Sequence, residues 1–401
     1  MMNLRTNHCA WMCAALLVIS GSAASAEMPS QEEMWEIIQQ QQREIEALKA
    51  GQKDNAEKVE AAVEVAEESQ KSAAGAASWT ENTQIGGYGE LHYNNLDSKK
   101  EIDFHRFVLF FGHQFNDRLR FWSELELEHT VSGDDRNGDV QLEQAYVEYD
   151  LTANQHVKGG IFLLPVGILN QTHEPPTFYG VERNPVERNI IPTTWWAGGI
   201  ELNGEIAPGW SYDIGVHEGL ETSAGSNYAV RSGRQKTSEA NANDLASTGR
   251  IKWTGMPGIE LAATVQYQSD VTQGEDPDAG HAWLFETHAD IRRGPFGLRA
   301  LYARWDLDGD GPETVGADEQ EGFYIEPSYR ITPKWGVFAR YNQWDNQAGD
   351  GNSDSEKKQV NTGVNFWPHP DVVLKADLQQ QDNEGNSKND NGWNLGVGYQ
   401  F

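Results

Sequence analysis

The feature of this sequence that most constrains its fold is a two-residue alternation of apolar and polar side chains, which runs from about residue 83 to the end. In the segment 119–128, for example, Leu125 and Leu127 fall on one face and Glu124 falls on the other. This period is typical of β-strands, because successive side chains of a strand point to opposite faces. A two-faced strand fits a soluble β-sandwich as well as a β-barrel, so the alternation alone does not choose between them.

The connections between the alternating segments distinguish a barrel from a sandwich, because short and long connections alternate strictly along the chain. Seven are tight turns, near 116–118, 152–155, 207–209, 256–258, 293–295, 332–334 and 368–371. Eight are longer and polar, near 94–101, 130–139, 168–197, 218–247, 269–281, 306–321, 344–358 and 381–391. A sandwich has no reason to sort its loops in this way, whereas an outer-membrane barrel has short periplasmic turns and long outer loops. We therefore predict an all-β fold, a 16-stranded antiparallel transmembrane β-barrel over residues 83–401.

The end of the chain, NGWNLGVGYQF, indicates that the sheet is closed. Leu395, Val397, Tyr399 and Phe401 alternate with small or polar residues, so one face of this segment is apolar. Such a strand is protected only if it pairs with the first strand, 83–95, and leaves no free edge. The segment resembles the terminal strand of porins, in which an alternating stretch ending in Phe is recognised by the outer-membrane barrel assembly machinery.

The first 82 residues lack the alternation and divide into three segments. Residues 1–26 carry one arginine, an apolar run and a small-residue site before Glu27, which is the layout of a secretory signal peptide. Residues 27–72 show heptads with Ile38 and Ile45 at a positions and Leu48 at a d position, so we predict an N-terminal helical coiled-coil arm in the periplasm. A solvated, partly helical arm fits the weak second half of this pattern equally well. Residues 73–82 are predicted to form a flexible linker.

Composition excludes several classes of function. The formal net charge of −30 argues against nucleic-acid binding, since phosphate backbones require a basic surface. Both cysteines, Cys9 and Cys13, lie in the predicted signal peptide, so the mature chain has no thiol ligands or disulfides. The acidic segment 306–317 begins like an EF-hand loop but has Ala317 where that loop requires glutamate, which leaves only a weak divalent site open there. We predict no dedicated metal centre and no cofactor.

Catalytic motifs are also absent from the sequence. No G-x-S-x-G, P-loop or H-E-x-x-H pattern occurs, and we predict that the chain is not an enzyme. A hydrolase site assembled from neighbouring strands would leave no such motif, so an outer-membrane hydrolase is the enzymatic alternative.

The most individual stretch of the sequence is the third long loop, 168–197. It contains four prolines, which should make it stiff, and a near-repeat, VERNP and VERNI. Its charged residues are candidates for narrowing a pore: Glu174, Glu182, Arg183, Glu187 and Arg188.

Several stretches resemble the phosphate-selective porin O and P family. They are GYGELHY, GDVQLEQAYVEY and a G-x-F-x-x-P-V-G strand before the 168–197 loop. The resemblance implies that the third loop folds into the lumen and narrows it. It also implies a channel whose phosphate selectivity depends on arrays of arginine and lysine.

Strand parity predicts which charged side chains face the lumen. Candidates are Arg120, Glu124, Glu126, Glu128, Arg250, Lys252, Arg330, Arg340 and Lys375. Inward acids outnumber inward bases, and the Glu124–Glu126–Glu128 ladder favours cations or neutral solutes. An anion- or phosphate-selective channel is the alternative, and pairing of most of these charges across the lumen is the simplest expectation.

These features predict an outer-membrane porin of a Gram-negative bacterium, which forms a water-filled channel for passive diffusion of ions and small hydrophilic solutes. We expect a homotrimer that contacts outer-membrane lipids and lipopolysaccharide, with cell-wall contact by the arm as a further option. The non-channel alternative is a barrel that acts mainly as a structural tether.

Overall fold

The computed structural model describes residues 81–131, 138–351, 355–385 and 389–401, together with Trp35, Gln39 and Gln42. The chain divides into two units, Met1–Ala77 and Ser78–Phe401. In the first unit the three described residues are helical, and the rest of the predicted signal peptide and coiled-coil arm lies outside the described residues. No helix in the described part of the chain is both long and apolar enough to cross a membrane.

The second unit is a closed antiparallel barrel of sixteen strands, each paired with its sequence neighbours. The strands are β1 (Thr83–Leu96), β2 (Lys100–Asn116), β3 (Leu119–Glu128), β4 (Val140–Thr152), β5 (Gln155–Leu163), β6 (Trp196–Ala207), β7 (Trp210–His217), β8 (Ala246–Met256), β9 (Ile259–Gln268), β10 (Ala282–Arg293), β11 (Phe296–Leu307), β12 (Glu319–Thr332), β13 (Trp335–Asp345), β14 (Lys357–His369), β15 (Val372–Asn383) and β16 (Gly392–Gln400). The predicted fold class and strand number of the barrel are confirmed.

The seven predicted tight turns all join strands at one end of the barrel. The opposite end carries the longer loops, with one difference from the prediction. The first of these is only 97–99, because β1 and β2 stay paired as far as Asn95 and Lys100. The described residues of the longer loops form two short α-helices, α1 (Val186–Asn189) and α2 (Asp310–Thr314), along with 3₁₀ turns at Pro175–Thr177, Ala224–Ser226, Val230–Gly233 and Ala348–Asp350.

The barrel closes between β16 and β1, with pairs that run from Tyr88 and Gln400 to Leu96 and Gly392. Beyond β16, the Phe401 N–H donates to the Gly87 carbonyl oxygen at 2.8 Å, and the Gly87 N–H donates to the Phe401 carbonyl oxygen at 3.0 Å. The chain end is therefore held in the sheet and no free edge is left there.

The outer face of the barrel is apolar, as the alternation predicted. On β16, the side chains of Leu395 and Val397 are exposed, and Phe401 beyond it is 63% exposed. Isolated exposed apolar side chains are ordinary, but every strand except β5 carries at least one large exposed apolar side chain, and a band of this kind matches a surface that faces lipid.

The interior differs from the expected wet lumen, because an apolar core fills part of it. Inward side chains of β10–β12 pack against the loops that follow β5, β7 and β9. The core members include Phe162, Leu164, Val166, Ile190, Trp195, Leu220, Val230, Leu284, Leu301, Trp305 and Tyr324, all nearly inaccessible to solvent. Each such side chain contributes about 1.5–3 kcal/mol when it is fully buried. This core fixes the loops inside the barrel.

Candidate functional site: a constriction inside the barrel

The central element of the site is the loop between β5 and β6, residues 164–195, which we call the inner loop. Asn170 closes its base, because its side-chain amide donates to the carbonyl oxygens of Leu164 and Trp195 at 2.8 Å each. The Asn170 side-chain oxygen in turn accepts the Trp195 N–H at 2.7 Å. Both ends of the loop are thus tied together where the two strands meet.

Glu187 fixes the fold of the inner loop. It is fully buried, and one carboxylate oxygen accepts the N–H groups of Ile168 and Leu169 at 2.7 and 2.6 Å. The other oxygen accepts the Asn184 amide at 2.8 Å and the Tyr324 hydroxyl at 3.0 Å. A carboxylate with four donors has no free lone pair for a passing ion. The expectation that Glu187 faces the pore is corrected: it holds the loop together.

The inner loop crosses the barrel to the opposite wall. Its backbone is held by side chains that point inward from β11 and β13–β15. The contacts are Arg299 to the Thr177 oxygen at 3.0 Å, Asn365 to the Phe178 oxygen at 3.1 Å, Arg340 to the Glu182 oxygen at 3.2 Å, and the Val181 N–H to Asp377 at 2.8 Å. In a ring of sixteen strands, β13 and β14 lie opposite β5 and β6. The loop therefore spans the lumen.

Two glycines on the closing strand allow the loop to approach this wall. A Cβ atom on Gly398 would lie 2.3 Å from the Cβ of Pro175, which is closer than any real contact. A Cβ on Gly396 would lie 3.2 Å from Val181. Glycine within a strand often marks such a close approach.

A cavity of about 300 Å³ remains between the inner loop and the wall formed by β1–β4. Its wall side carries Glu90, His92, Asp103, His105, Arg106, Glu128 and Glu143. Its loop side carries Glu182, Arg183 and Arg188 from the inner loop, with Arg231, Arg234 and Lys236 from the loop after β7. The two sides differ in how their charges are balanced.

Glu90 and Glu182, two of the acids of the cavity, are paired with a nearby cation or histidine. Arg106 contacts Glu90 at 2.8 Å and Glu126 at 3.3 Å. His92 lies 3.3 Å from Glu182, and the same histidine lies 3.1 Å from Glu90. Burial would raise the pKa of Glu182, but the charge of His92 and a hydrogen bond to it outweigh burial and hold this pKa well below its usual range. Glu182 is therefore ionised but paired.

The cations of the loop side are not balanced in this way. Among the described residues, no carboxylate lies within 4.0 Å of the charged groups of the loop-side cations, which are Arg183, Arg188, Arg231, Arg234 and Lys236. Arg231 donates instead to the carbonyl oxygens of Arg188 and Thr193 at 2.7 and 3.1 Å, and Arg234 donates to that of Thr194 at 2.6 Å. Burial and then the neighbouring arginines lower the pKa of Arg231 to about 9, so this guanidinium still carries its charge at neutral pH. We call these five residues the loop cations.

Most of the other basic residues that strand parity places in the lumen are paired with acidic residues. Such pairing was the simplest expectation from the sequence. Arg120 contacts Glu148 and Asp150, Arg250 lies 2.8 Å from Asp213, Lys252 lies 3.8 Å from Glu260, and Arg340 lies 3.2 Å from Glu326. Arg330 stacks on Trp367 at 3.5 Å, and the Lys375 amine lies 3.4 Å from the centre of the Phe178 ring. The four ion-paired bases are therefore not free sites for solutes.

The predicted glutamate ladder is placed differently from the expectation. Glu124 and Glu126 are buried at 1% exposure each, beside the inner loop, and only Glu128 lies at the cavity. Glu174, a further constriction candidate, is half-buried before the 3₁₀ turn Pro175–Thr177 and lies outside the cavity. The ladder therefore gives little negative potential to the open space.

The alternation of the sequence did not predict that Glu143 points into the barrel, because β4 contains a β-bulge. The register of β4 against β3 shifts between Glu124 and Leu125, so a β-bulge places Glu143 inside even though Gln144 also points inward. Bulges re-aim side chains in this way. Arg231 and Arg234 were missed because they lie in the loop after β7, whose course inside the barrel no periodic pattern reveals.

Comparison with known proteins agrees with this architecture. The profile of the family described as phosphate-selective porin O and P matches residues 85–401. The chain belongs to this porin family. It is an outer-membrane channel for passive diffusion in a Gram-negative envelope, and the family points to a channel rather than to an enzyme.

Relatives of this porin differ in how closely they match it. An uncharacterised protein of Aquifex aeolicus (strain VF5) is 33% identical over 347 residues, which cover 76% of this chain and 77% of that protein. Among solved structures, an anion-selective porin from Comamonas acidovorans has 14% identity and a TM-score of 0.56, with 80% of this chain and 99% of that chain covered. The outer-membrane channel DcaP of Acinetobacter baumannii has 16% identity and a TM-score of 0.54, with 80% and 97% covered. At these identities the solved structures show the shared fold alone.

Proposed function

We propose that this porin is a constricted channel in which the inner loop narrows the lumen and the loop cations favour anions. The observation that carries the proposal is that five cations line one side of the cavity with no carboxylate within 4.0 Å among the described residues, whereas Glu90 and Glu182 at the same cavity are paired. Selectivity in a wide pore follows from the charges at its narrowest part. Membership of a phosphate-selective family supports the same direction.

The chemistry of the loop cations favours small phosphate- or carboxylate-bearing solutes. A guanidinium presents several N–H donors in a planar fork that matches the oxygens of such anions. Arg183 uses one nitrogen for the Thr194 hydroxyl at 2.7 Å, and its Nε and Nη2 atoms have no hydrogen-bond partner among the described residues. An entering anion would supply the missing acceptors. This reverses the expectation from inward charge counts, because most of the inward acids are buried or paired.

The test is the reversal potential of purified protein in planar bilayers with a potassium chloride gradient. We expect the wild type to prefer chloride, and the variant with Arg183, Arg231 and Arg234 all changed to Gln to lose that preference by several-fold. The matched control is Arg293→Gln, which removes an arginine at the end of β10 whose side chain is exposed and contacts Met256. A cation-selective wild type, or equal shifts in the two variants, would show that the loop cations do not set selectivity.

We further propose that the protein is a homotrimer in contact with outer-membrane lipids and lipopolysaccharide, inserted by the barrel assembly machinery. One structural neighbour, OmpT of Vibrio cholerae, was solved in a trimer form, which supports the fold's use in trimers. The proposed coiled-coil arm in the periplasm would join the three chains or engage the cell wall. Mass determination in detergent, with and without residues 29–72, tests both the trimer and the arm.

The tether and hydrolase alternatives make different predictions for the same preparation. A tether requires the arm but no conductance, and a hydrolase would cleave phospholipid or peptide. We propose that the protein is not an enzyme, so ion conductance without cleavage is the expected result.

A further inference from the structure

Three buried side chains converge where the inner loop meets the β3–β4 wall. They are His173 from the loop, Glu124 from β3 and Glu143 from β4, which are 3%, 1% and 1% exposed. One ligand atom from each lies within 4.8 Å of the others. The Nε2 atom of His173 is 3.6 Å from the nearest oxygen of each glutamate.

These separations are too long for hydrogen bonds, which join nitrogen and oxygen at about 2.7–3.2 Å. An imidazolium clamped between two carboxylates would draw them to about 2.7–2.9 Å. Two ligands that share a tetrahedral ion at about 2.0–2.1 Å from each are instead about 3.3–3.4 Å apart. The spacing around His173 is close to this second value.

Two of the converging atoms make no hydrogen bond within the described structure. Neither His173 Nε2 nor Glu143 Oε2 has a hydrogen-bond partner among the described residues, although both are buried. An orphaned buried polar atom is costly and calls for an explanation. The bulge in β4 that turns Glu143 inward directs its carboxylate to this point.

Hydrogen bonds from neighbouring groups orient His173 and Glu124 as metal ligands. His173 Nδ1 lies 3.1 Å from the Asn170 carbonyl oxygen, which accepts the Nδ1 proton, so Nε2 is the ring nitrogen that faces the two glutamates. Glu124 accepts the Gln144 amide at 2.7 Å through its other oxygen. Hydrogen bonds of this kind orient the ligands in protein metal sites.

The excess of negative charge around His173 also favours the binding of a cation. In the described structure Arg106 pairs with Glu90 and Glu126, whereas the ion-pair contacts of Glu124 and Glu143 are with His173 alone. Two carboxylates beside one histidine leave a net negative charge even when His173 is protonated, and an uncompensated buried charge is strongly unfavourable. A divalent ion would neutralise them.

From this arrangement we propose that His173, Glu124 and Glu143 bind a first-row divalent cation of the Zn²⁺ class, which fastens the inner loop to the barrel wall. One imidazole and two carboxylates suit Zn²⁺ and similar ions better than Mg²⁺ or Ca²⁺, which prefer oxygen ligands alone. Because the ligands come from the loop and from two strands, the ion links the constriction to the sheet.

The test is metal binding by the purified, folded full-length protein. After treatment with EDTA and dialysis against Zn²⁺ alone, we expect the wild type to retain one ion per chain. His173→Ala and Glu143→Gln should each weaken Zn²⁺ binding by at least about tenfold. Co²⁺ should give the visible absorption of a four-coordinate site in the wild type and in neither variant.

Two other groups of histidine and carboxylate side chains provide matched controls. They are Asp103 with His105 and His129, and Glu148 with Asp150 and His156, which are half-buried or exposed. His129→Ala and His156→Ala should leave the stoichiometric Zn²⁺ in place. Migration on unheated gels confirms that each variant is folded, and Glu143→Gln keeps the test decisive if His173→Ala does not fold.

The proposal is overturned if the wild type retains no Zn²⁺ after dialysis, or if Zn²⁺ remains in both His173→Ala and Glu143→Gln. It is also overturned if His129→Ala or His156→Ala removes the ion. None of these results bears on the channel itself, because conductance is measured separately.

Discussion

At the scale of single residues, the function of a charge in this barrel depends on whether it has a partner. Glu187 and Arg340 were both candidates for pore charges, yet their hydrogen bonds are used to hold the inner loop. Arg183 has unused donors and lies at the cavity. The same residue type thus holds structure at Arg340 and, as we propose, contacts solutes at Arg183.

The structural role of Glu187 gives a first prediction at this scale. Glu187→Gln puts an amide N–H₂ where four donors now point, and the loss of charge-assisted hydrogen bonds in a buried site should cost about 1.5–3 kcal/mol. We expect increased noise and a higher mean conductance in single-channel recordings, because the loop loosens. Glu174→Gln is the matched control, since it makes the same change in the same loop at a half-buried position. Equal behaviour of the two variants would contradict the role of Glu187.

At the scale of elements, close approach of the inner loop to β16 depends on a missing side chain. Gly398→Ala would place a Cβ 2.3 Å from Pro175 Cβ, so the loop must shift. Overpacking of this kind typically costs about 1–3 kcal/mol. We expect the barrel to fold and the conductance to rise, because the loop undocks from this wall.

A second glycine supplies the control for this element. A Cβ on Gly249 in β8 would meet no atom within 4 Å, so Gly249→Ala should leave conductance unchanged. If Gly398→Ala also leaves conductance and loop accessibility to protease unchanged, Pro175 does not dock on β16 as described.

Prediction from sequence succeeded where a regular pattern decides the structure. Alternation and sorted connections are sufficient for the strand number, the outward face of Leu395 and Val397 and the closure of the sheet. It failed where one residue is inserted into the pattern, because the bulge at Glu143 reverses parity within β4. It also failed where tertiary packing decides, since nothing periodic shows that the loop after β7 brings Arg231 beside Arg188.

At the scale of the whole molecule, the barrel is part channel and part packed core. The inner loop and its neighbours bury apolar side chains against β10–β12, and this packing leaves the cavity on the β1–β4 side. A sixteen-stranded barrel without such a core would hold a wide aqueous channel. The width of the passage therefore depends on the inner loop, and its charge depends on the inner loop together with the loop after β7.

The most direct test of this account compares the wild type with a variant that lacks residues 172–192 in the same planar-bilayer experiment. The deletion removes the crossing segment with Arg183 and Arg188 but leaves Asn170 at the base of the loop. We expect a folded barrel with a single-channel conductance raised by roughly twofold or more and with a weaker preference for chloride. Unchanged conductance and selectivity in a folded deletion variant would contradict the claim that the inner loop forms the constriction.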